Sequence, residues 1–390
     1  MGFFQTRKVR KQVKALLHQM KTFRAGHEDI LPAEDLQAID QALASVKAVY
    51  PHGSQEELER AGTELEACLD RLNPPKKFAG FRENFDVLVV AISVAMAFRA
   101  YFYQPFKIPT GSMQPTLYGI HSETIPAERR TLLDRQPLKF FKWLVTGESF
   151  HVVTAKGNGT ISFTDSKEYM KPGYITLLVA GEPHYIPTDV LNGSHYLPNG
   201  LTSGKYVREG EVLWSGIVHS GDFVFVNRWI WNFRHPRRGE VMVFETTGVG
   251  VLPTPYGSRT VVQQGTHYIK RMMGLPNETL QIRTPNLFVN GKQVTEPERV
   301  AQISSRAQPW EKSPPYAGFQ PAVGNKYCAQ SLASQEDTVT LLSDQYYAMG
   351  DNSGNSFDSR FWGPVPEHNL LGPATFVYWP FTSPRRGFIR

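Results

Sequence analysis

Three short segments of the chain carry residue types that could perform acyl-transfer chemistry together. The first segment, residues 108–117, reads IPTGSMQPTL and places Ser112 directly after Gly111. Glycine permits a tight turn in which a serine hydroxyl and the amide of the same serine face one substrate oxygen. An ordinary Ser/Thr turn has the same composition, so this segment alone does not establish a nucleophile.

The second segment, residues 267–276, reads HYIKRMMGLP and predicts a strand that runs into a Gly-Pro turn. Lys270 stands there among apolar and aromatic neighbours. Burial disfavours the charged form of a lysine, which lowers its pKa and allows it to act as a base. The alternative is a lysine on the solvent face of an amphipathic strand.

The third segment, residues 346–364, is a polar loop between apolar flanks. Its polar side chains include Asp351, Asn352, Ser356, Asp358, Ser359 and Arg360. Such a cluster indicates either a hydrogen-bonded network that orients other groups or an Asx-rich turn. No histidine accompanies Ser112 at Ser/His/Asp spacing, but a Ser–Lys dyad needs none, because a neutral lysine can accept the hydroxyl proton.

The elements expected to position these segments are mainly β. After Pro105, short runs rich in Val, Phe, Ile and Tyr alternate with Gly, Pro and Asn turns. Strands are predicted at residues 174–180, 222–227 and 240–245, and a hairpin is predicted at 287–291. We therefore expect a mainly β domain over residues 105–390, with a loop-rich insertion at about 296–335.

The N-terminal region has a different composition. Residues 1–24 are basic, and residues 28–70 are acidic with apolar residues at helical spacing. Residues 1–72 are predicted to form two or three helices within a region that extends to residue 84. The basic run either contacts anionic lipid or forms a solvated helix face.

Residues 87–98, VLVVAISVAMAF, carry no charge. Extension to Tyr103 gives a segment near the lower limit of about 17 residues for a membrane-spanning helix. Arg99 can extend its charge to the interface, and the aromatic residues that follow suit an interfacial belt. We predict a transmembrane helix over residues 85–104; a buried core helix is the alternative.

Charge near this segment predicts its orientation. Lys76, Lys77 and Arg82 precede it, whereas Lys107 is the nearest cation after it. The positive-inside rule therefore predicts that residues 1–84 are cytoplasmic and residues 105–390 are outside. Cys68 and Cys328 would then lie on opposite sides of the membrane and could not pair.

The composition excludes several classes of protein. The 390 residues are 41% hydrophobic and 20% charged, which fits neither a disordered chain nor a polytopic membrane protein. Two cysteines cannot support a disulfide scaffold or a thiolate metal site. The net charge of +6 without basic–aromatic blocks does not indicate nucleic-acid binding.

The three segments, in this order and directly after a predicted membrane anchor, resemble the bacterial type I signal peptidases (leader peptidases). The resemblance covers about residues 85–120, 215–295 and 340–380. Further matching segments are Pro105-Phe106, GDFVFV at 221–226, HPRRGEV at 235–241, KR and GLP within 270–276, and GDN and SFDSR within 350–360.

The resemblance implies that Ser112 is the nucleophile and Lys270 the general base. It implies that the Thr110 hydroxyl contributes to the oxyanion hole, and that Ser356 hydrogen-bonds and orients the lysine. Residues similar to those that line the family's substrate pockets are Ile108, Met113, Leu117, Tyr268 and Ile269. Residues that match the family's supporting ion pairs are Arg271, Asp351, Asp358 and Arg360.

The function implied is that of a membrane-anchored serine endopeptidase of the bacterial inner membrane. It would remove N-terminal signal peptides from exported preproteins without a metal or organic cofactor. The resemblance also implies antiparallel sheets in the catalytic domain. Relative to compact members of the family, this chain has an insertion at about residues 120–220. Asn277-Glu278 and Ser353 depart from the family pattern, which usually has Gly-Asp and arginine there. One alternative is another Ser–Lys peptidase, such as a self-cleaving repressor, but such a protein would need a DNA-binding module and would have no membrane anchor. A membrane-tethered β-rich binding protein with a decayed site is the other alternative, and the oligomeric state stays open.

Overall fold

The computed structural model of the chain comprises two compact units, residues 1–94 and 95–390. The described residues are 2–50, 52–73, 79–164, 174–187, 201–254, 257–311, 313–323, 328 and 330–389. Lys76 and Lys77, on which the predicted orientation partly depends, lie outside them.

The first unit begins with three helices, α1 (Gly2–His27), α2 (Ala33–Val49) and α3 (Gln55–Leu72). Their apolar residues recur at helical spacing and form a shared core around Met20, Ile39 and Leu65. Ser54 and Glu57 form a capping box at the start of α3. The prediction of a helical N-terminal region is confirmed.

Helix α4 (Ala79–Tyr101) follows. Residues Glu83–Tyr101 are long and apolar enough to cross a membrane, and none of this 19-residue stretch is buried within the protein. At about 1.5 Å per residue it extends about 28 Å, close to the ~30 Å of a hydrocarbon core. The alternative of a buried core helix is therefore wrong.

The predicted end of this helix at residue 104 is also wrong. The helix ends at Tyr101, and strand β1 (Tyr103–Lys107) begins two residues later. Pro105 has no amide hydrogen and biases Gln104 toward extended backbone, so the helix cannot continue. β1 lies at one edge of the main sheet, where a proline is tolerated.

In its described residues, the second unit contains three more α-helices and five short 3₁₀ helices. The α-helices are α5 (Leu138–Thr146), α6 (Glu298–Ser304) and α7 (Ser359–Trp362). The 3₁₀ helices are Ala127–Arg129, Leu132–Asp134, Ile230–Asn232, Ser353–Asn355 and Glu367–Asn369.

The strands after β1 are short and lie throughout the unit. They are β2 (His121–Thr124), β3 (Glu148–Thr154), β4 (Gly159–Phe163), β5 (Tyr174–Val179), β6 (Glu182–Pro187), β7 (Tyr206–Val207), β8 (Val212–His219), β9 (Phe223–Asn227), β10 (Val241–Glu245), β11 (Val251–Thr254), β12 (Gly257–Thr260), β13 (His267–Gly274), β14 (Thr279–Arg283), β15 (Asn286–Val289), β16 (Lys292–Gln293), β17 (Thr338–Thr340), β18 (Gln345–Met349), β19 (Val365–Pro366), β20 (Leu370–Trp379) and β21 (Gly387–Phe388).

The main sheet has eight antiparallel strands in the order β1-β9-β20-β10-β13-β18-β19, with β21 paired to β20. Apolar side chains pack on both of its faces, around Val243 and Ile269 on one and around Phe244 and Met272 on the other. β13 lies between β10 and β18, and Lys270 is opposite Met242. The prediction of a mainly β, antiparallel domain is confirmed.

Two further sheets occupy the predicted insertion at about 120–220. One contains β2, β8 and β3, and the other contains β6, β5, β4 and β7. They share a core around the fully buried Trp214. A separate sheet of β14–β17 packs through a shared core with Met273, near the end of β13. Between α6 and β17, the described residues form no helix or strand.

The segment that carries Ser112 is anchored between β1 and β9. The amide of Ile108 donates to the carbonyl of Asp222 at 2.9 Å, and the amide of Tyr118 donates to the Asp222 carboxylate at 2.7 Å. Gly221 has φ +80°, and a Cβ at this residue would lie 2.6 Å from the carbonyl oxygen of Ile108. The close approach therefore requires glycine.

Replacing Gly221 with alanine tests this anchor. Gly210 is the matched control, because its φ is +83° but a Cβ there meets nothing within 4 Å. Backbone strain costs about 1–2 kcal/mol in both variants, and overpacking adds about 1–3 kcal/mol in Gly221→Ala alone. Denaturant unfolding should show this difference, and equal destabilisation of the two variants would contradict the anchor.

Candidate active site

Ser112 and Lys270 meet although 158 residues separate them in the chain. The Lys270 Nζ donates to Ser112 Oγ at 2.6 Å, and the exposed fractions of the two residues are 5% and 6%. β13 supplies the lysine, and the turn after β1 supplies the serine. The distance is within direct proton-transfer range.

Burial lowers the pKa of Lys270 to about 8 from the ordinary value of 10.5. Asp358 and Asp351 oppose this change by favouring the ammonium, whereas the positive charge of Arg360 adds to it. A substantial fraction of Lys270 is thus neutral just above neutral pH. A neutral amine has the lone pair that a general base needs.

The loop after β18 holds the serine segment in place. The amide of Asn352 donates to the carbonyl of Ser112 at 3.0 Å, and its side chain donates to the carbonyl of Gly111 at 3.1 Å. A Cβ on Gly350 would lie 2.4 Å from the same Ser112 carbonyl oxygen. The two backbones can approach this closely only because residue 350 is glycine.

Thr110 lies beside the nucleophile candidate. Its hydroxyl is 3.4 Å from Ser112 Oγ, and both residues line the same cleft. This places a rotatable O–H donor near the atom that would attack a carbonyl, as an oxyanion-hole role requires.

Two buried ion pairs support the site, as the resemblance implies. The Arg271 guanidinium donates to Asp351 at 2.7 and 2.6 Å, and that of Arg360 donates to Asp358 at 2.8 Å through two nitrogens. All four side chains are at most 1% exposed. Burial opposes ionisation of Asp358, but the charge and hydrogen bonds of Arg360 outweigh it and lower the pKa of the carboxyl.

Ser356 differs from the expectation. It lines the cleft and is buried, but no hydrogen bond joins its hydroxyl to Lys270; its interaction with the Asp358 carboxyl contributes to the lowered pKa of that group. The hydroxyl packs against Gly350 instead, because a Cβ there would lie 2.2 Å from it. The implied hydrogen bond from Ser356 to Lys270 is therefore not formed in this structure.

The five implied pocket residues separate into two groups. Tyr268 and Ile269 line the cleft. Ile108, Met113 and Leu117 are at most 1% exposed and pack in the hydrophobic core around β9 and β10. The structure thus places these three beneath the serine segment, because their apolar side chains are what attach that segment to the sheet.

The cleft has a volume of about 620 Å³. Its lining comprises Pro109, Thr110, Ser112, Gln263, Thr266, His267, Tyr268, Ile269, Lys270, Gly354, Asn355, Ser356, Phe357 and Phe361. Gln263 and Thr266, just before β13, belong to none of the sequence motifs, so their place in the lining emerges only from the fold.

The region between α6 and β17 contributes to the supporting network. The hydroxyls of Tyr316 and Thr116 lie 2.7 Å apart, and Thr116 also donates to Asp351. The carbonyl of Gln320 accepts from Arg360 at 2.6 Å. Sequence reasoning missed Tyr316 because its partner lies 200 residues away.

The departures from the family pattern have structural roles. Ser353 Oγ accepts from Arg360 at 2.8 Å. Asn277 adopts φ +63°, a left-handed conformation that asparagine tolerates, and Glu278 pairs with Arg238. Among the described residues, no cluster of three or more His, Cys, Asp or Glu could hold a metal ion.

Comparisons with known proteins show that part of this chain is similar to a family. The family described as "Signal peptidase, peptidase S26" matches residues 215–379. This range contains Lys270 and both buried ion pairs but excludes Ser112. The assignment of Ser112 therefore depends on its motif and on its 2.6 Å contact with Lys270.

Two curated relatives and one solved structure are similar to parts of this chain. "Probable signal peptidase I-2" of Synechocystis is 29% identical over 43% of this chain and 59% of its own length. "Signal peptidase I T" of Bacillus subtilis is 28% identical over 46% of this chain and 76% of its own length. The crystal structure of a signal peptidase I from Enterococcus faecalis is 25% identical, covers 36% of this chain and 98% of that chain, and has a TM-score of 0.23.

The lowered pKa of Lys270 predicts how hydrolysis depends on pH. A base with a pKa of about 8 is protonated and inactive below that pH. We expect kcat/KM to rise about tenfold per pH unit well below 8 and to level off above it, since kcat/KM reports the free enzyme. A profile that is flat between pH 6 and 9 would contradict the role of Lys270 as the base.

Proposed function

We propose that this chain is a type I signal peptidase, a serine peptidase that removes signal peptides. It cuts its substrates with Ser112 and Lys270. The observation that carries the proposal is the 2.6 Å contact between Ser112 Oγ and a buried lysine whose pKa is lowered to about 8. Ser112 acts as nucleophile and Lys270 as general base.

The reaction proceeds in two halves. Neutral Lys270 takes the proton of Ser112 as Oγ attacks the scissile carbonyl, and the resulting ammonium gives that proton to the leaving amine when the C–N bond breaks. Lys270 then takes a proton from water, which attacks the acyl-enzyme ester. The ammonium returns the proton to Ser112 Oγ and regenerates the free enzyme.

The tetrahedral oxyanion needs donors that face the cleft. The Thr110 hydroxyl and the backbone amide of Ser112 are suited to this role, because Thr110 Oγ1 lies 3.4 Å from Ser112 Oγ. Both donors belong to a turn held by Asn352 and the carbonyl of Asp222. Rigid donors stabilise a developing charge without reorganising during the reaction.

The substrate would add a strand beside β13. Residues 267–270 pair with β10 on one side, and pairing with β18 on the other side begins only at Arg271. The free side of this half-strand faces the cleft that contains Ser112. Backbone hydrogen bonds to an extended peptide would orient it, and Tyr268 and Ile269 would contact its side chains.

A binding protein with a decayed site is the competing function, and substitution of the dyad separates the two. Ser112→Ala and Lys270→Arg should each lower cleavage of a labelled preprotein by at least about 10³-fold. Arginine keeps the positive charge but cannot act as a base. The matched controls are the exposed Ser162→Ala and Lys292→Arg, which should cleave normally.

Wild-type chain that binds the preprotein without cutting it would favour the decayed site. More than a few per cent of activity in Lys270→Arg would show that Lys270 serves only as a cation.

We also propose that α4 anchors the chain in the bacterial inner membrane, with residues 1–84 in the cytoplasm and residues 105–390 outside. The length and apolar composition of Glu83–Tyr101 support the anchor. The lysines and arginine before it support the orientation through the positive-inside rule.

Protease added outside sealed, right-side-out vesicles tests this orientation. The peptidase domain should be digested, and the three N-terminal helices should be spared until detergent is added. Digestion of those helices in intact vesicles, with a cytoplasmic marker still protected, would reverse the proposed topology.

A further inference from the structure

Helix α5, in the region between β2 and β3, is amphipathic, but its apolar side faces away from the protein. At 3.6 residues per turn, its apolar residues Leu138, Phe140, Phe141, Leu144 and Val145 cover one side of about 160°. These five side chains are between 44% and 58% exposed. A helix of a soluble domain would turn this side toward the core.

The polar side of α5 faces the protein instead. Lys139 Nζ donates to the carbonyl of Phe150 at 2.8 Å, and Lys142 Nζ donates to Asp134 at 2.7 Å. The indole of Trp143 donates to Ser220 Oγ at 2.9 Å. The two lysines therefore attach the helix to the rest of the domain and do not extend into solvent.

The end of α5 is also fixed to the main sheet. The Trp379 indole donates to the carbonyl of Leu144 at 2.7 Å, and the amide of Phe381 donates to the carbonyl of Val145 at 3.0 Å. The rings of Trp143 and Trp379 lie 5.5 Å apart. These bonds fix the last turn of α5 in place. The exposure of the apolar side is therefore a property of the fold.

Charge and neighbouring residues indicate what covers this side. Leu132 and Leu133, just before α5, are 72% and 54% exposed and extend the apolar surface. Arg129, Arg130 and Arg135 around them are exposed as well. An apolar surface of Phe and Leu bordered by cations is typical of a segment that lies in the interface of an anionic membrane.

Helix α5 lies about one strand length from the end of the candidate membrane span. The candidate membrane span ends at Tyr101, and β1 begins at Tyr103 and extends about 17 Å. β9 pairs with β1, and Phe223 of β9 contacts Trp379, the ring that holds α5. One short strand thus separates the end of the span from the part of the sheet that carries α5.

We propose that α5 and Leu132-Leu133 form a second membrane contact, in which the apolar side of the helix inserts into the headgroup region of the anionic bilayer that α4 spans. The inference depends on the proposed anchoring by α4. It gives the region between β2 and β3 a role: it would hold the cleft in a fixed orientation to the surface from which a membrane-bound preprotein reaches Ser112.

Quenching of a fluorophore by brominated lipid tests the contact in the full chain. The two native cysteines, both free, are replaced by serine, and Phe141→Cys carries an environment-sensitive label. Tyr206→Cys is the matched control, since Tyr206 is an exposed aromatic residue of the same inserted region, 60% exposed. Both proteins are reconstituted in phosphatidylcholine–phosphatidylglycerol vesicles with and without dibrominated phosphatidylcholine.

The label at residue 141 should be quenched at least about twofold more than the label at residue 206, as expected for a side chain ~5–10 Å below the headgroup boundary. Equal quenching would overturn the proposal. The proposal would also be overturned if the label at residue 141 became more shielded from water as the protein-to-lipid ratio increased, with no effect of the brominated lipid. A second copy of the chain would then cover the helix.

Cleavage of a short soluble peptide by the same labelled proteins separates the two proposals. Normal cleavage with no quenching difference would reject the membrane contact alone. Loss of cleavage in the unlabelled wild-type chain would reject the proposed function, whatever the quenching shows.

Discussion

The structure depends on one contact, the hydrogen bond between a serine hydroxyl and a lysine that is almost completely withdrawn from water. The chemistry needs Lys270 neutral, and burial supplies this by lowering its pKa to about 8. Burial of an amine is costly, so the surrounding fold must hold it in place. The position of β13 in the main sheet does so, since β10 pairs with Lys270 and both β10 and β18 pair with Arg271.

The two buried ion pairs balance the charge around this lysine. Arg271 with Asp351 and Arg360 with Asp358 each bring one cation and one anion to a site from which water is excluded. Because each pair is nearly neutral, burial remains the largest influence on the pKa of Lys270. The pairs also tie together distant segments, so the same groups that set the electrostatics hold the loop that clamps Ser112. Removing one partner of such a pair would leave an uncompensated buried charge.

The sequence could predict those features that depend on local pattern. The strand around Lys270, the turn around Ser112 and the apolar α4 helix each have a local signal in composition or spacing. Their meeting was predictable through resemblance to a family, because the segments occur in a recognisable order. Helix α4 ends before the predicted residue 104 because Pro105 favours extended backbone, a local signal that is visible in the sequence.

Features that depend on tertiary packing could not be predicted in this way. The resemblance implied that Ile108 and Met113 are pocket residues, but in the structure their apolar side chains attach the serine segment to the sheet. Tyr316 joins the supporting network from a stretch without regular structure. The apolar side of α5 is exposed because Lys139 and Lys142, on its polar side, bind partners elsewhere in the fold. In each case the deciding neighbour comes from elsewhere in the fold.

Direct titration of the Lys270 amine tests the central claim most closely, since it requires no turnover. The full chain, labelled with ¹³C at lysine Cε and held in detergent micelles, would be followed by NMR from pH 6 to 11. The signal absent from Lys270→Arg identifies the residue. We expect it to titrate near pH 8. Titration near 10.4, the value of a free lysine, would show that the amine is charged at working pH and would contradict the account.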